Sequence, residues 1–317
     1  MKKKRNASRG PIIIFACVLA FALLFCSVLQ IGYVISKRNA YVWKPDYEKV
    51  EISALLDKQT LSDEDYDLIY SQTGLTRIGV DRALEKGYVG KQRILEIQNS
   101  YFSDYEIRYD KFAPWMCTER ITKSAKAIYL EDGDIIITAS THVSFFRMGH
   151  SGLVTDGDNN KVLQAVGYEE GSEIGDIYDF TNRINFMVLR PKASAETRKL
   201  AAEYGATLTE IEYAPFIGIN KRQTKMGKTQ CAHLVWYAYH MRGFELIDKN
   251  KLIALPYDLA NSDEVELVQT FGFDPTSSGI ILSTETKTPR CAVYEKQKSR
   301  RGASVGSFFA MTRQCNL

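Results

Sequence analysis

The sequence predicts an α+β fold set behind an N-terminal apolar helix, and three observations predict it. An uncharged, mostly apolar run extends from residue 11 to 36. Short β-branched or apolar runs at 135–137, 152–154, 162–166 and 186–189 read as strands, and Asp156, Gly157, Asp158, Asn159 and Asn160 make a hairpin turn between two of them. Cys231, Leu234, Val235 and Ala238 recur at i, i+3, i+4 and i+7, the spacing of a helix packed on a core, and Gly243 is placed to end it.

With 317 residues, 45% hydrophobic and 25% charged, the chain can bury one sizeable core plus a smaller unit. A formal charge of +3 is too small to argue for nucleic acid, and none is expected as a partner. Much of the positive charge is local. Lys2, Lys3, Lys4, Arg5 and Arg9 make residues 1–10 a basic tail, and Lys37, Arg38 and Lys44 follow the apolar run. About 20 apolar residues cross a bilayer, so 11–36 is expected to be a transmembrane anchor. The excess of basic residues before it puts the tail in the cytoplasm and the rest outside. A signal peptide is the rival, but its apolar core is about 7–15 residues and ends in an A-x-A pattern. This run is longer and ends at Gln30 to Ser36 without that pattern. Cys26 is set aside as a lipid-modified residue because Phe25 before it is bulky.

Residues 37–124 read as a linker followed by a small helical unit. Ser62 and Asp65 have the spacing of a capping box, with Tyr66, Ile69 and Tyr70 as the apolar positions after it. Thr76 can cap a second helix carrying Val80, Ala83 and Leu84 before Gly87, and Ile94, Ile97 and Tyr101 suggest a third. The unit is expected to be a spacer or a brace. The main domain is expected over 125–268, where 193–204 reads as a helix with Leu200 and Ala201 inward, Arg198 and Lys199 outward, and Gly205 at its end. Residues 269–317 form an extension, polar and basic beyond about 276, that reads as a flexible tail unless Phe308, Phe309 and Met311 dock it.

Cys231 is the candidate nucleophile. A thiol at a helix start lies near the positive end of the dipole, and beside an imidazolium its pKa falls from about 8.5 into roughly 3.5–7.5. The plainer reading is a small buried core residue. Of the four histidines, His233 is turned about 200° from the thiol by a helix, and His240 is nearly a helix length away. His150 is the favoured partner and His142 its rival. Cys17 and Cys26 lie in the apolar run; of Cys117, Cys291 and Cys315, one pair can bridge. There is no C-x-x-C spacing and no dense His/Cys cluster, so no metal or other cofactor is expected.

Gly133, Asp134 and the isoleucines after them, then Gly149, His150, Ser151, Gly152, Leu153 and Val154, a strand ending Leu189, Arg190, and the segment Leu255, Pro256, Tyr257, Asp258, Leu259, Ala260 follow one another in a distinctive order. In that order the chain resembles the permuted papain-like cysteine hydrolases, the YiiX-like branch of the NlpC/P60 superfamily. The resemblance implies a circularly permuted papain-like (NlpC/P60-type) α+β domain over 125–268, with His150 on a strand ahead of Cys231 at a helix head. The third residue of that family, commonly a glutamate on the next strand, falls on Gln164. A glutamine carbonyl can accept the ring N–H but supplies no negative charge, and Gln164 also has a plain reading as a strand polar residue. Glu169 and Glu170 stand close by as substitutes. The activity implied is a membrane-anchored cysteine hydrolase cleaving amide or related acyl bonds in a peptide or N-acyl amide substrate, such as cell-wall peptides or lipid-linked amides. The alternatives are an acyltransferase with the same pair and a catalytically silent, membrane-anchored binding module.

Overall fold

The computed structural model describes residues 10–167, 170–214 and 226–273. The chain is a mixed α+β protein with a long apolar helix at its N-terminal end, followed by helices and antiparallel sheets. The first helix, α1 (Gly10–Arg38), holds an 18-residue window of mean hydropathy 3.1 with none of it buried, so it is long and apolar enough to cross a membrane.

Three helices follow: α2 (Asp63–Thr73), α3 (Arg77–Leu84) and α4 (Gly87–Tyr101). The expected capping box forms, Ser62 accepting from the Asp65 N–H and Asp65 from the Ser62 N–H, and Gly74 closes α2 in the left-handed region at φ +71°. Thr76 stands at the start of α3, but its hydroxyl makes no cap and donates to the Leu267 carbonyl at 2.5 Å, while its N–H donates to the Val268 carbonyl at 3.0 Å. Gly87 opens α4, and α3 stops before it at Leu84.

The strands then run β1 (Ile107–Ala113), β2 (Met116–Ile121), β3 (Ile135–Thr138), β4 (Thr141–Val143), β5 (Phe146–Arg147), β6 (His150–Asp156), β7 (Lys161–Gly167) and β8 (Gly171–Asp176). After them come α5 (Tyr178–Thr181), β9 (Phe186–Pro191), α6 (Ala195–Gly205), β10 (Glu212–Tyr213), β11 (Lys228–Thr229), α7 (Cys231–His240), α8 (Pro256–Ala260) and β12 (Val265–Phe271). A six-stranded antiparallel sheet has the order β12-β9-β3-β6-β7-β8, a four-stranded one β1-β2-β4-β5, and β10 and β11 form a parallel pair.

The large sheet is buried on both faces, which is why its central strands read as continuous apolar runs. Ile135, Ile137, Leu153, Leu163 and Leu189 face α6 and α7, whereas Ile136, Val154, Val162 and Val188 share a core with Ile69, Val80 and Ile94 of α2–α4. The helical unit thus braces the sheet, and the Arg82 guanidinium of α3 reaches the buried Asp134 at 2.7 Å. Helix α6 departs from expectation. Leu200 is 41% exposed, while Arg198 is tucked in and donates to the Ala193 carbonyl. The helix lies so close to the sheet that a Cβ on Gly205 would stand 2.7 Å from the Leu153 side chain, so its buried face is made of Ala201, Ala202 and Gly205. No room is left there for a leucine. Cys291, Cys315 and the tail beyond 276 lie outside the described residues, as does Glu169.

Candidate active site

Helix α7 carries Cys231 as its first residue, and every residue from Cys231 to Tyr239 is buried. Gln230 builds this helix start. Its Oε1 accepts from the Ala232 N–H at 2.9 Å and from the Cys231 thiol at 3.4 Å, and its Nε2 donates to the Ala254 carbonyl, just before the Leu255–Ala260 segment. Asp258 in that segment caps α8 through the Leu255 N–H at 3.0 Å, and Pro256 lies 3.5 Å from where a Cβ on Gly149 would stand. At the other end of α7, the Tyr239 hydroxyl donates to the Gly133 carbonyl; φ of +86° and the closeness of Tyr239 and Arg198 reserve that position for glycine. The Asp134 beside it also faces Arg190 at 3.4 Å. The segments that carry the resemblance therefore meet around one helix and one strand.

His150 opens β6, with its ring stacked on Phe180 at 5.2 Å between centroids. Its Nε2 lies 2.9 Å from Gln164 Oε1 on the neighbouring strand, where Gly152 pairs with Gln164. The Gln164 amide nitrogen is committed to two carboxylates, Asp179 Oδ2 at 2.9 Å and Glu173 Oε1 at 3.2 Å. Its oxygen must therefore face the ring, which fixes the tautomer: Nε2 carries the proton and donates, and Nδ1 keeps the lone pair. Glu170, weighed from sequence as a substitute, is exposed and is not a partner of His150. The carboxylates stand one step further back, behind the glutamine.

The two principal residues are brought to the same strand end without a hydrogen bond between them. Ser151, the residue after His150, stands near enough to act on the thiol, although its own buried hydroxyl has no hydrogen-bond partner among the described residues, and Arg183 acts electrostatically on both groups. Arg183 is itself buried. Its Nε donates to the Asp179 carbonyl at 2.6 Å, its Nη1 to Thr141 Oγ1 at 3.0 Å, and its guanidinium lies 5.8 Å from the Phe180 ring centre.

The electrostatics correct the expected lowered thiol pKa. Burial pushes the Cys231 thiol up, outweighing the Ser151 and Ala232 N–H groups and Arg183, all of which favour the thiolate. Burial, reinforced by Arg183, takes His150 down to about 3, with Gln164 opposing. Both groups rest neutral at pH 7.

The other histidines fall as follows. His233 is buried against Thr229 Oγ1 at 3.1 Å, and burial lowers it to about 4; His240 pairs with Glu245 at the far end of α7. His142, unlike His150, does contact a thiol, with Nε2 3.1 Å from Cys117 Sγ and Nδ1 3.0 Å from the Ser144 carbonyl. A carbonyl only accepts, so Nδ1 carries a proton, and the buried Glu119 carboxylate stands 3.6 Å from Nε2. Both residues are fully buried under Tyr33 of α1, and burial raises the Cys117 thiol. Sequence reasoning missed Ser151, Arg183, Glu173, Asp179 and the Cys117 contact. Only the register of Cys117 opposite His142, on adjacent strands, signals the last, and it requires β2 and β4 to be recognised first. Among the described residues no cluster of three or more His, Cys, Asp or Glu could hold a metal. No family model, curated protein or solved structure matches the chain.

Proposed function

We propose that the protein is a cysteine hydrolase of amide or related acyl bonds, built on a permuted papain-like domain and anchored by α1 with its catalytic domain outside the cell. The observation that carries this reading is the oriented imidazole. His150 is held by Gln164, Gln164 is held by Glu173 and Asp179, and Cys231 stands beside the next residue of the same strand.

In the reaction, the thiol proton passes to His150 Nδ1 and the sulfur attacks the substrate carbonyl, with Arg183 and the Ser151 N–H favouring the thiolate. Collapse of the tetrahedral species breaks the C–N bond as the imidazolium protonates the departing amine. His150 then takes a proton from water, which attacks the thioester, releasing the acid and restoring the thiol. Backbone N–H groups at the start of α7 are placed to hold the oxyanion, and of these the Ala232 N–H is already bonded to Gln230. The neutral, unbonded resting pair favours a second reading, the catalytically silent binding module.

One experiment separates the two. Purified full-length protein is incubated with an activated N-acyl amide, and trapped adducts are located by mass spectrometry. The hydrolase reading expects an acyl mass on Cys231 that is absent from Cys231→Ser and reduced in His150→Ala, with catalytic release of acid. Neither adduct nor release across a panel of peptidoglycan fragments and N-acyl amides would overturn it. Added amine acceptors test the acyltransferase alternative, in which the amine captures the acyl group faster than water does.

A further inference from the structure

The lower end of the small sheet is fastened to α1. Leu29, Gly32, Tyr33, Ser36 and Lys37 form the one stripe of α1 that is buried or half-buried, at helical spacing. Ser144 Oγ donates to the Leu29 carbonyl at 3.0 Å, and Ser36 Oγ donates to the Ser144 carbonyl at 2.8 Å. Gly32 leaves space for the Phe145 ring, which a Cβ would meet at 2.1 Å. Tyr33 lies against His142, with ring centres 5.6 Å apart, and the Tyr109 hydroxyl donates to the Lys37 carbonyl at 2.9 Å. Ser144 adopts φ +52°, a left-handed conformation rare for serine, and its N–H donates to the Trp115 carbonyl at 2.7 Å. Two turns are thereby held beside α1. One carries Phe145 and Phe146, and the other carries Phe112, Pro114 and Trp115.

Depth follows from the helix itself. The uncharged run 11–36 is centred near residues 23 and 24. At about 1.5 Å per residue, Leu29 lies about 8 Å and Gly32 about 13 Å from that centre. The hydrocarbon core extends only about 15 Å from its middle. Side chains bonded to Leu29 and seated on Gly32 thus belong at or inside the edge of the hydrocarbon. The exposed residues there suit that depth: Phe146 is 63% exposed, Phe112 57% and Phe145 47%, with Lys37 and Arg38 ending α1 and Lys111 at the Tyr33 ring on the headgroup side.

We propose that these two aromatic turns insert into the interfacial layer of the leaflet in which α1 ends, so that the domain lies on the bilayer. This rests on α1 spanning the membrane. Phe146 is four residues from His150, so the same seating sets the His150 strand end at the lipid surface, and the substrate class it fits is an acyl amide carried by a lipid. That second step rests on the proposed hydrolase reading.

The test uses full-length protein in vesicles of phosphatidylcholine brominated at shallow acyl positions. The fluorescence added by Phe146→Trp should be quenched, while that added by Leu200→Trp, on the outer face of α6, should not. Equal quenching of the two, or none at Phe146→Trp, overturns insertion. A Phe145→Ser, Phe146→Ser double variant should lower the ratio of vesicle-borne to soluble N-acyl amide hydrolysis several-fold, and an unchanged ratio overturns the substrate assignment. If the wild type cleaves neither substrate, the hydrolase reading and the lipid-borne substrate fail together. Quenching still judges insertion.

Discussion

Gln164 supplies His150 with orientation but no charge. Replacing it with alanine removes the acceptor seen on Nε2 among the described residues and frees the tautomer, so turnover should fall while the fold, monitored by thermal unfolding, is kept. Unchanged turnover would remove Gln164 from the site. Gln164→Glu has two opposing effects. A carboxylate beside the ring raises the His150 pKa from its low value, yet it faces Glu173 and Asp179 without the two N–H donors that now hold them. The expected result is a His150 proton resonance titrating at higher pH and a less stable protein at pH 8. A His150 titration that does not move would show that Gln164 and the ring are not coupled. Acid stability belongs to the same scale. His150 and His233 are lowered to about 3 and about 4, so the stability linked to their neutral forms is complete above the ordinary histidine value near 6.5. It is lost as pH falls toward those folded-state values. Asp134, raised to about 6 by burial, works in the opposite direction but is one group against two. Net stability should therefore decline between about pH 6.5 and 4. His233→Gln should shrink that decline, as followed by unfolding midpoints across the range. An equal decline in the variant would exclude His233 as a source.

At the scale of elements, the Gly133–Asp134 turn ties α3, β9 and α7 together, and Arg82 is the tie most open to test. Asp134 is fully buried and faces Arg82 and Arg190, while Arg82 also meets Glu131 at 3.0 Å. Arg82→Met orphans a buried carboxylate, a change that costs about 3–5 kcal/mol when no partner remains. With Arg190 in place, the low end is expected. Without Arg82 the folded-state pKa of Asp134 rises further. Protonated below that value, the carboxyl costs little, so the deficit against wild type should be larger at pH 8 than at pH 5 in denaturant titrations. A deficit independent of pH would mean that lost packing of α3, and not the orphaned charge, is responsible. Elements that carry a strong pattern were legible: β3, β6, β7, β9 and α7 come straight from apolar runs and helical spacing, whereas Gln164 came from the resemblance, which implies a third residue one strand past His150. β1 was not, because the alternation of Ile107 and Tyr109 with Arg108 and Asp110 breaks off at Lys111 and no residue of Ile107–Ala113 is fully buried. Arg183 was not legible either, since an arginine in sequence defaults to the surface. Its burial arises only when α5 folds Phe180 over His150. The inward face of α6 was misjudged because periodicity gives spacing without phase, and small residues took the sheet side.

For the whole molecule, the direction of α1 decides on which side of the membrane the domain lies. Five basic residues precede the apolar run and three follow it closely, so protease added to intact cells should digest the domain beyond residue 38. A protected domain would place it in the cytoplasm. Whether α1 stays attached is a separate question, because signal sequences are also apolar helices near the N-terminus. The docked stripe distinguishes them. Removing α1 would take Tyr33 from its place against His142, strip the cover from the buried Cys117 contact, and leave Ser144 without the bonds to Leu29 and Ser36 that hold it at positive φ. A segment discarded after export has no use for such contacts, whereas a retained anchor uses them to fix the domain on the membrane. The intact mass of protein purified from the membrane fraction should therefore include residues 10–38. A mature chain beginning near residue 37 would show that α1 is a cleaved leader, and would dissolve the membrane seating with it.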